Sequence, residues 1–138
     1  MYLAVCDDQD KELETLAALL DTWQRERKTP LRWRSFRSAG QLLEAARRER
    51  FTLYLLDVIM PGMDGMEAAQ EIRSFDAAAD IVFLTSSPGF AYESYSVRAL
   101  EYLLKPITPR LLFPLLDRLA LREQRPQEGL TLKTGSML

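Results

Sequence analysis

Three carboxylates, a hydroxyl and an ammonium stand at the ends of separate apolar runs in this chain. Asp7-Asp8 follow Tyr2 to Cys6, Asp57 follows Leu53 to Leu56, Thr85 closes Asp80 to Thr85, and Lys105 follows Glu101 to Leu104. On one edge of a sheet these groups converge within a few ångströms. Two carboxylates about 4 Å apart repel by roughly 4 kcal/mol at an effective dielectric near 20. Three must therefore take up protons or recruit a cation. With Cys6 set one residue before the acidic pair and facing the core, the ligands are all oxygen, which selects a hard divalent ion, Mg²⁺ first. Mg²⁺ held by a few carboxylates keeps positions open for water and a phosphoryl oxygen. Lys105 and Thr85 would serve the remaining phosphoryl oxygens, and Asp57 is then a nucleophile of the kind that forms aspartyl-phosphates.

The elements that must position these groups alternate. The central one is FTLYLLDVIMPGMDG, residues 51–65, where a run of the length of a buried strand stops at Asp57 and Pro61-Gly62 supplies the turn. Before it, Tyr2 to Cys6 reads as the first strand. Asp10 caps a helix with its stripe on Leu13, Leu16, Ala17, Leu20 and Trp23. Thr29-Pro30 breaks that helix. Leu31 to Phe36 sets Leu31, Trp33 and Ser35 against Arg32 and Arg34, the pattern of an outer strand with one wet side. Ser38 caps a helix to about Arg48. After the central strand come a helix from Asp64 to about Ser74, the strand Asp80 to Thr85, and a short, weakly amphipathic helix over Phe90 to Val97. A fifth strand, Glu101 to Leu104, is closed by Lys105-Pro106. Thr108-Pro109 opens a last helix to about Glu123, which Pro114 kinks or delays. Five strands alternating with helices predict an α/β fold with a doubly wound parallel sheet, whose carboxyl edge is where such sheets bind ligands.

The bulk numbers allow one domain with a sizeable core: 138 residues, 47% hydrophobic and 28% charged. A net charge of −2 gives no surface built for nucleic acid or anionic lipid. A single cysteine excludes an internal disulfide and fits a reducing, cytoplasmic setting. There is no secretory signal and no apolar run of roughly 18 residues, so no membrane segment is expected. The absence of histidine removes His-based acid/base catalysis, His-ligated zinc and the Ser-His triad together.

The pair Asp7-Asp8, LLDVIMPGMDG, FLTSS and YLLKP, in this order and at these strand ends, resemble the receiver domains of two-component response regulators. The resemblance covers residues 1–124. It implies a flavodoxin-like sheet of order 2-1-3-4-5 and a phosphoacceptor at Asp57. It implies Mg²⁺ held by Asp8, Asp57 and the backbone carbonyl of Ile59, with Asp7 acting through water. It further implies that Thr85 and Lys105 contact the phosphoryl group, that Tyr102 is the switch aromatic, and that the bond before Pro106 is cis. The implied partner is a sensor histidine kinase, with a possible homodimer through the face formed by residues 90–122. The stretch GFAYESYSVRALEYLLKPI resembles more particularly the regulators that carry a LytTR-type DNA-binding domain. Residues 125–138 then read as a linker and the cut-off opening of that output domain, so that DNA is contacted only through the missing part.

Each residue alone has a plainer reading. Asp7-Asp8 is a helix cap pair, Asp57 an Asx turn, Thr85 structural, Lys105 a solvated loop lysine, and Tyr102 a core aromatic; it is their joint placement that points to chemistry. Two rival functions remain on the sequence. An aspartate-nucleophile phosphohydrolase usually has an acid/base Asp two residues past the nucleophile, where this chain has Ile59. A flavodoxin-like module that only binds a partner has no need of the acidic, threonine and lysine positions.

Overall fold

The structure, a computed structural model, describes residues 1–124. Residues 1–108 form one compact unit built on a five-stranded parallel sheet of order β2-β1-β3-β4-β5. The strands are β1 (Tyr2–Cys6), β2 (Arg32–Phe36), β3 (Leu53–Leu56), β4 (Asp80–Thr85) and β5 (Glu101–Leu104). The helices of this unit are α1 (Asp10–Arg27), α2 (Ala39–Ala46) and α3 (Gly65–Phe75). This is the doubly wound, flavodoxin-like sheet that the strand-helix alternation predicts. Right-handed crossovers put α1, which steps outward to β2, on one face, and α2 and α3, which step the other way, on the opposite face.

β3 is central and every residue of it is buried, which is why it reads as one apolar run. Its alternate residues serve different faces. Tyr54 and Leu56 join Ala4, Cys6, Ile81 and Phe83 in a cluster with Leu42 and Leu43 of α2 and Ala69 and Ile72 of α3. α1 buries Leu13, Leu16, Leu20 and Trp23, the expected stripe. β2 is an outer strand as its arginines predict: Arg32 and Arg34 are exposed, and Phe36 is buried.

The register carries the site. Cys6 pairs with Leu56, Leu56 with Phe83, and Thr85 with Leu104. Asp7 and Asp57 are each one residue beyond a paired position, so they leave the sheet side by side. The Asp57 N–H still donates to the Cys6 carbonyl at 3.0 Å, and the Lys105 N–H to that of Thr85 at 2.8 Å.

Three local expectations are corrected. Gln9, not Asp10, holds the N-cap of α1 and makes no side-chain cap bond. Asp7 Oδ1 accepts from the Gln9 N–H at 2.9 Å, and the Asp10 carboxylate pairs instead with Arg37. α2 ends at Ala46, short of Arg48, though Ser38 caps it as expected. Residues 88–97 form no α-helix but two 3₁₀ turns, Pro88–Phe90 and Glu93–Val97. Ser94 Oγ donates to the Ala91 carbonyl at 2.6 Å and Ser96 Oγ to that of Glu93 at 2.8 Å, competing with helix amides for those acceptors. Only Ser94 and Val97 of the second turn are buried, too little apolar anchoring to hold an α-helix.

The helix α4 (Pro109–Gln124) belongs to a second unit. It starts at Pro109, so Pro114 does not delay it. Pro114 offers no N–H to the carbonyl of Arg110 four residues earlier. The expectation for residues 125–138 lies outside the described residues. Among the described residues, no helix is long and apolar enough to cross a membrane.

Candidate functional site

The turn after β3 is pressed against Asp57. Gly62 has φ +74, a conformation glycine adopts without strain, and the Gly65 N–H donates to the Val58 carbonyl at 2.8 Å. A Cβ at Gly65 would lie 2.0 Å from the Asp57 carbonyl oxygen, so the close approach needs a residue without one. α3 then opens with a full capping box, the Asp64 side chain accepting from the Glu67 N–H at 2.8 Å and the Glu67 carboxylate from the Asp64 N–H at 3.0 Å. Asp57 is therefore held between a sheet bond on one side and a glycine-dependent fold-back on the other.

Asp7, Asp8 and Asp57 converge, with one carboxylate oxygen of each within 4.8 Å of the others. Lys105 reaches across from the end of β5. Its Nζ donates to Asp7 Oδ2 at 2.7 Å and to Asp57 Oδ2 at 3.2 Å, and lies 3.7 Å from Glu12 Oε1. The groups are largely out of water: the side chains of Asp7, Asp57 and Lys105 are 2%, 8% and 12% exposed. Burial raises the Asp7 carboxyl above its ordinary value, against the pull of its Lys105 and Gln9 hydrogen bonds. Burial alone would lower Lys105, yet its bond to Asp7 and the charges of Asp57 and Asp7 hold it above the ordinary lysine value. The Cys6 thiol is pushed up to about 12, by burial first and then by Asp7, Asp57 and Asp8. It stays protonated, 3.7 Å from the Met60 sulfur, and offers no thiolate to the cluster.

The carboxylates open into a cleft of about 830 Å³ whose walls include Asp8, Glu12, Ile59, Met60, Ser86 and Pro106. The Ile59 N–H donates to Asp57 Oδ1 at 3.4 Å, and its side chain is exposed. The Lys105-Pro106 bond is cis. Two of the predicted residues stand apart. Thr85 is fully buried, and its Oγ1 accepts from the Ser87 N–H at 3.3 Å; Ser86, not Thr85, faces the cleft. The Tyr102 hydroxyl donates to the Ser87 carbonyl, with its ring tilted on Phe83 at 6.1 Å. Glu12 is the member that sequence reasoning missed. Its one signal is the spacing of four residues from Asp8 at the start of an amphipathic helix.

The family model described as the response regulator receiver domain matches residues 3–117. The chain belongs to that family. This receiver is 29% identical over 107 residues to the positive alginate biosynthesis regulatory protein of Pseudomonas aeruginosa, which covers 78% of this chain and 42% of that protein. It is 33% identical over 113 residues to the sensory transduction protein LytT of Oceanobacillus iheyensis, covering 78% of this chain and 43% of that one. The receiver thus spans less than half the length of either relative. Its fold is that of the response regulatory domain of protein mrkE from Klebsiella pneumoniae, with a TM-score of 0.80 and 25% identity over 91% of this chain and all of that one.

The receiver's own residues fit Mg²⁺. Oxygens sharing an octahedral Mg²⁺ lie about 3 to 4 Å apart, so the cluster needs only modest contraction. Three carboxylates facing one ammonium also leave the negative surplus that a divalent cation offsets.

Proposed function

We propose that Asp57 accepts a phosphoryl group from the phosphohistidine of a sensor kinase, and that the phosphorylated receiver controls an output domain. The observation that carries this reading is Asp57 set beside Asp7, Asp8 and Lys105 at the floor of an open cleft. An Asp57 carboxylate oxygen attacks phosphorus in line, the P–N bond breaks, and the imidazole leaves with the electron pair. Asp7, Asp8, Asp57 and the backbone carbonyl of Ile59 would hold Mg²⁺, Asp7 through water. When bound, Mg²⁺ supplies neutralisation of the phosphoryl oxygens. Lys105 turns its ammonium from Asp7 to the new phosphoryl oxygens, gaining a charge-assisted hydrogen bond. Thr85 rotates its hydroxyl from the Ser87 amide toward the same group.

The space Thr85 leaves is taken by Tyr102, which gives up the Ser87 carbonyl and so alters the segment 87–98. Self-association through residues 90–122 belongs to this proposal; the exposed Tyr92 and Tyr95, T-shaped at 6.5 Å, support it. A cytoplasmic setting is also part of the proposal. The output in this proposal is transcriptional control through a LytTR-type domain, with residues 125–138 read from the sequence as a linker and the start of that domain; the likeness to LytT supports that type. The domain is a phosphoacceptor that assists its own chemistry and is not a turnover enzyme.

Mg²⁺-dependent labelling with acetyl phosphate tests the acceptor. Wild type should take up one label, and Asp57→Ala none. Label persisting in Asp57→Ala would overturn the assignment.

A further inference from the structure

We infer that Glu12 determines which phosphodonors the cleft admits, by holding Lys105 and by facing the incoming donor with its charge. This rests on Asp57 being the acceptor. Lys105 has three carboxylate neighbours, Asp7 at 2.7 Å, Asp57 at 3.2 Å and Glu12 at 3.7 Å. The first two belong to the converging carboxylates; Glu12 does not. Whatever draws Asp7 and Asp57 together, Glu12 is the anion left to the ammonium. A phosphoryl group that needs Lys105 competes with Glu12 for it.

Glu12 also lies where a donor must pass. Its side chain is 41% exposed, on the same helical face of α1 as Thr15 and Leu16, and all three line the cleft. Ile59, Met60 and Pro61 of the β3–α3 turn line the cleft as well. A donor approaching Asp57 meets apolar surface from that turn and a carboxylate from α1. A small free phosphodonor brings its full negative charge past that carboxylate. A phosphohistidine carried on a protein can bring a cationic side chain with it and offset the repulsion. Glu12 is thus a specificity-determining residue against free anionic donors.

The test compares wild type, Glu12→Gln and Glu14→Gln in Mg²⁺. Glu14 is exposed on the same helix and outside the cleft lining, so its variant makes the same change in net charge. Rates of Asp57 labelling are measured with doubly charged acetyl phosphate and singly charged phosphoramidate. Glu12→Gln should speed acetyl phosphate labelling about three- to tenfold, and phosphoramidate labelling less. Glu14→Gln should leave both near wild type. A second, metal-free readout is the double-mutant cycle of Glu12→Gln with Lys105→Met in urea unfolding, which should be non-additive. Label on Asp57 with Glu12→Gln matching Glu14→Gln, or slowing both donors, overturns the role of Glu12 alone. Wild type that takes no label at Asp57 sinks the acceptor reading and this inference with it.

Discussion

The two sides of the receiver's rim are built on different plans. On the β1–β3 side, the polar groups bond across the chain: Lys105 meets Asp7 and Asp57, 98 and 48 residues away. On the β4 side they bond within their own neighbourhood. Thr85 and Tyr102 both end on the backbone of Ser87, two and 15 residues away. The acidic side is thus fixed by sheet register and by a glycine that permits close approach. On the hydroxyl side Thr85 and Tyr102 stand in β4 and β5, but their hydroxyls bond only to the backbone of one loop residue, so those two bonds change when that loop moves. The contrast separates a part held by contacts distant in the chain from a part whose hydroxyl bonds are local.

Gly65→Ala should break the acidic side most severely. Its Cβ meets backbone rather than a flexible side chain, so we expect a loss of more than about 3 kcal/mol in urea unfolding, together with loss of labelling. Lys105→Met comes next. It leaves two buried carboxylates without their cation and should cost about 3 kcal/mol at neutral pH without Mg²⁺. That difference has a definite pH dependence. Because folding raises the Lys105 pKa, its contribution is full below 10.5 and is lost as pH rises through the higher folded value. On the alkaline side, wild-type and Lys105→Met stabilities should therefore converge only above that value; convergence near neutrality would deny the pairing.

Asp8→Asn acts in the other direction. Removing one charge from the cluster should raise metal-free stability by about 1 kcal/mol while weakening Mg²⁺ binding, as read by calorimetry. The smallest effect belongs to the hydroxyl side. Tyr102→Phe removes one hydrogen bond to a backbone carbonyl and should cost no more than about 1 kcal/mol, with Mg²⁺ binding unchanged. Were it to match Lys105→Met, the division between the two sides would not hold.

The same division explains what could be read from the sequence. β1, β3 and β4 announce themselves because a strand buried on both faces must be apolar throughout, and the carboxylate that follows β1 or β3 is conspicuous. That Asp7, Asp57 and Lys105 meet then follows from parallel register. What stayed hidden depends on orientation or on distant partners. Nothing local says that Thr85 turns its hydroxyl to Ser87 and leaves the cleft wall to Ser86. The stretch 88–97 carries polar and aromatic residues with no clear stripe, and serine-to-carbonyl bonds decide its 3₁₀ form. Nor does anything local say that the Arg73 guanidinium donates to the carbonyls of Val97, Ala79 and Arg98, all supplied by later segments.

The arginines of β2 carry a consequence for life in a crowded cell. An outer strand presents a ladder of unused amides and carbonyls, which invites a stray segment to dock and seed aggregation. Here any such segment would lie beside the exposed side chains of Arg32 and Arg34, which share one face of the strand and whose guanidinium groups lie against the rings of Tyr2 and Phe36 at 4.1 and 5.1 Å. Unwanted growth of the sheet at that margin is resisted by charge.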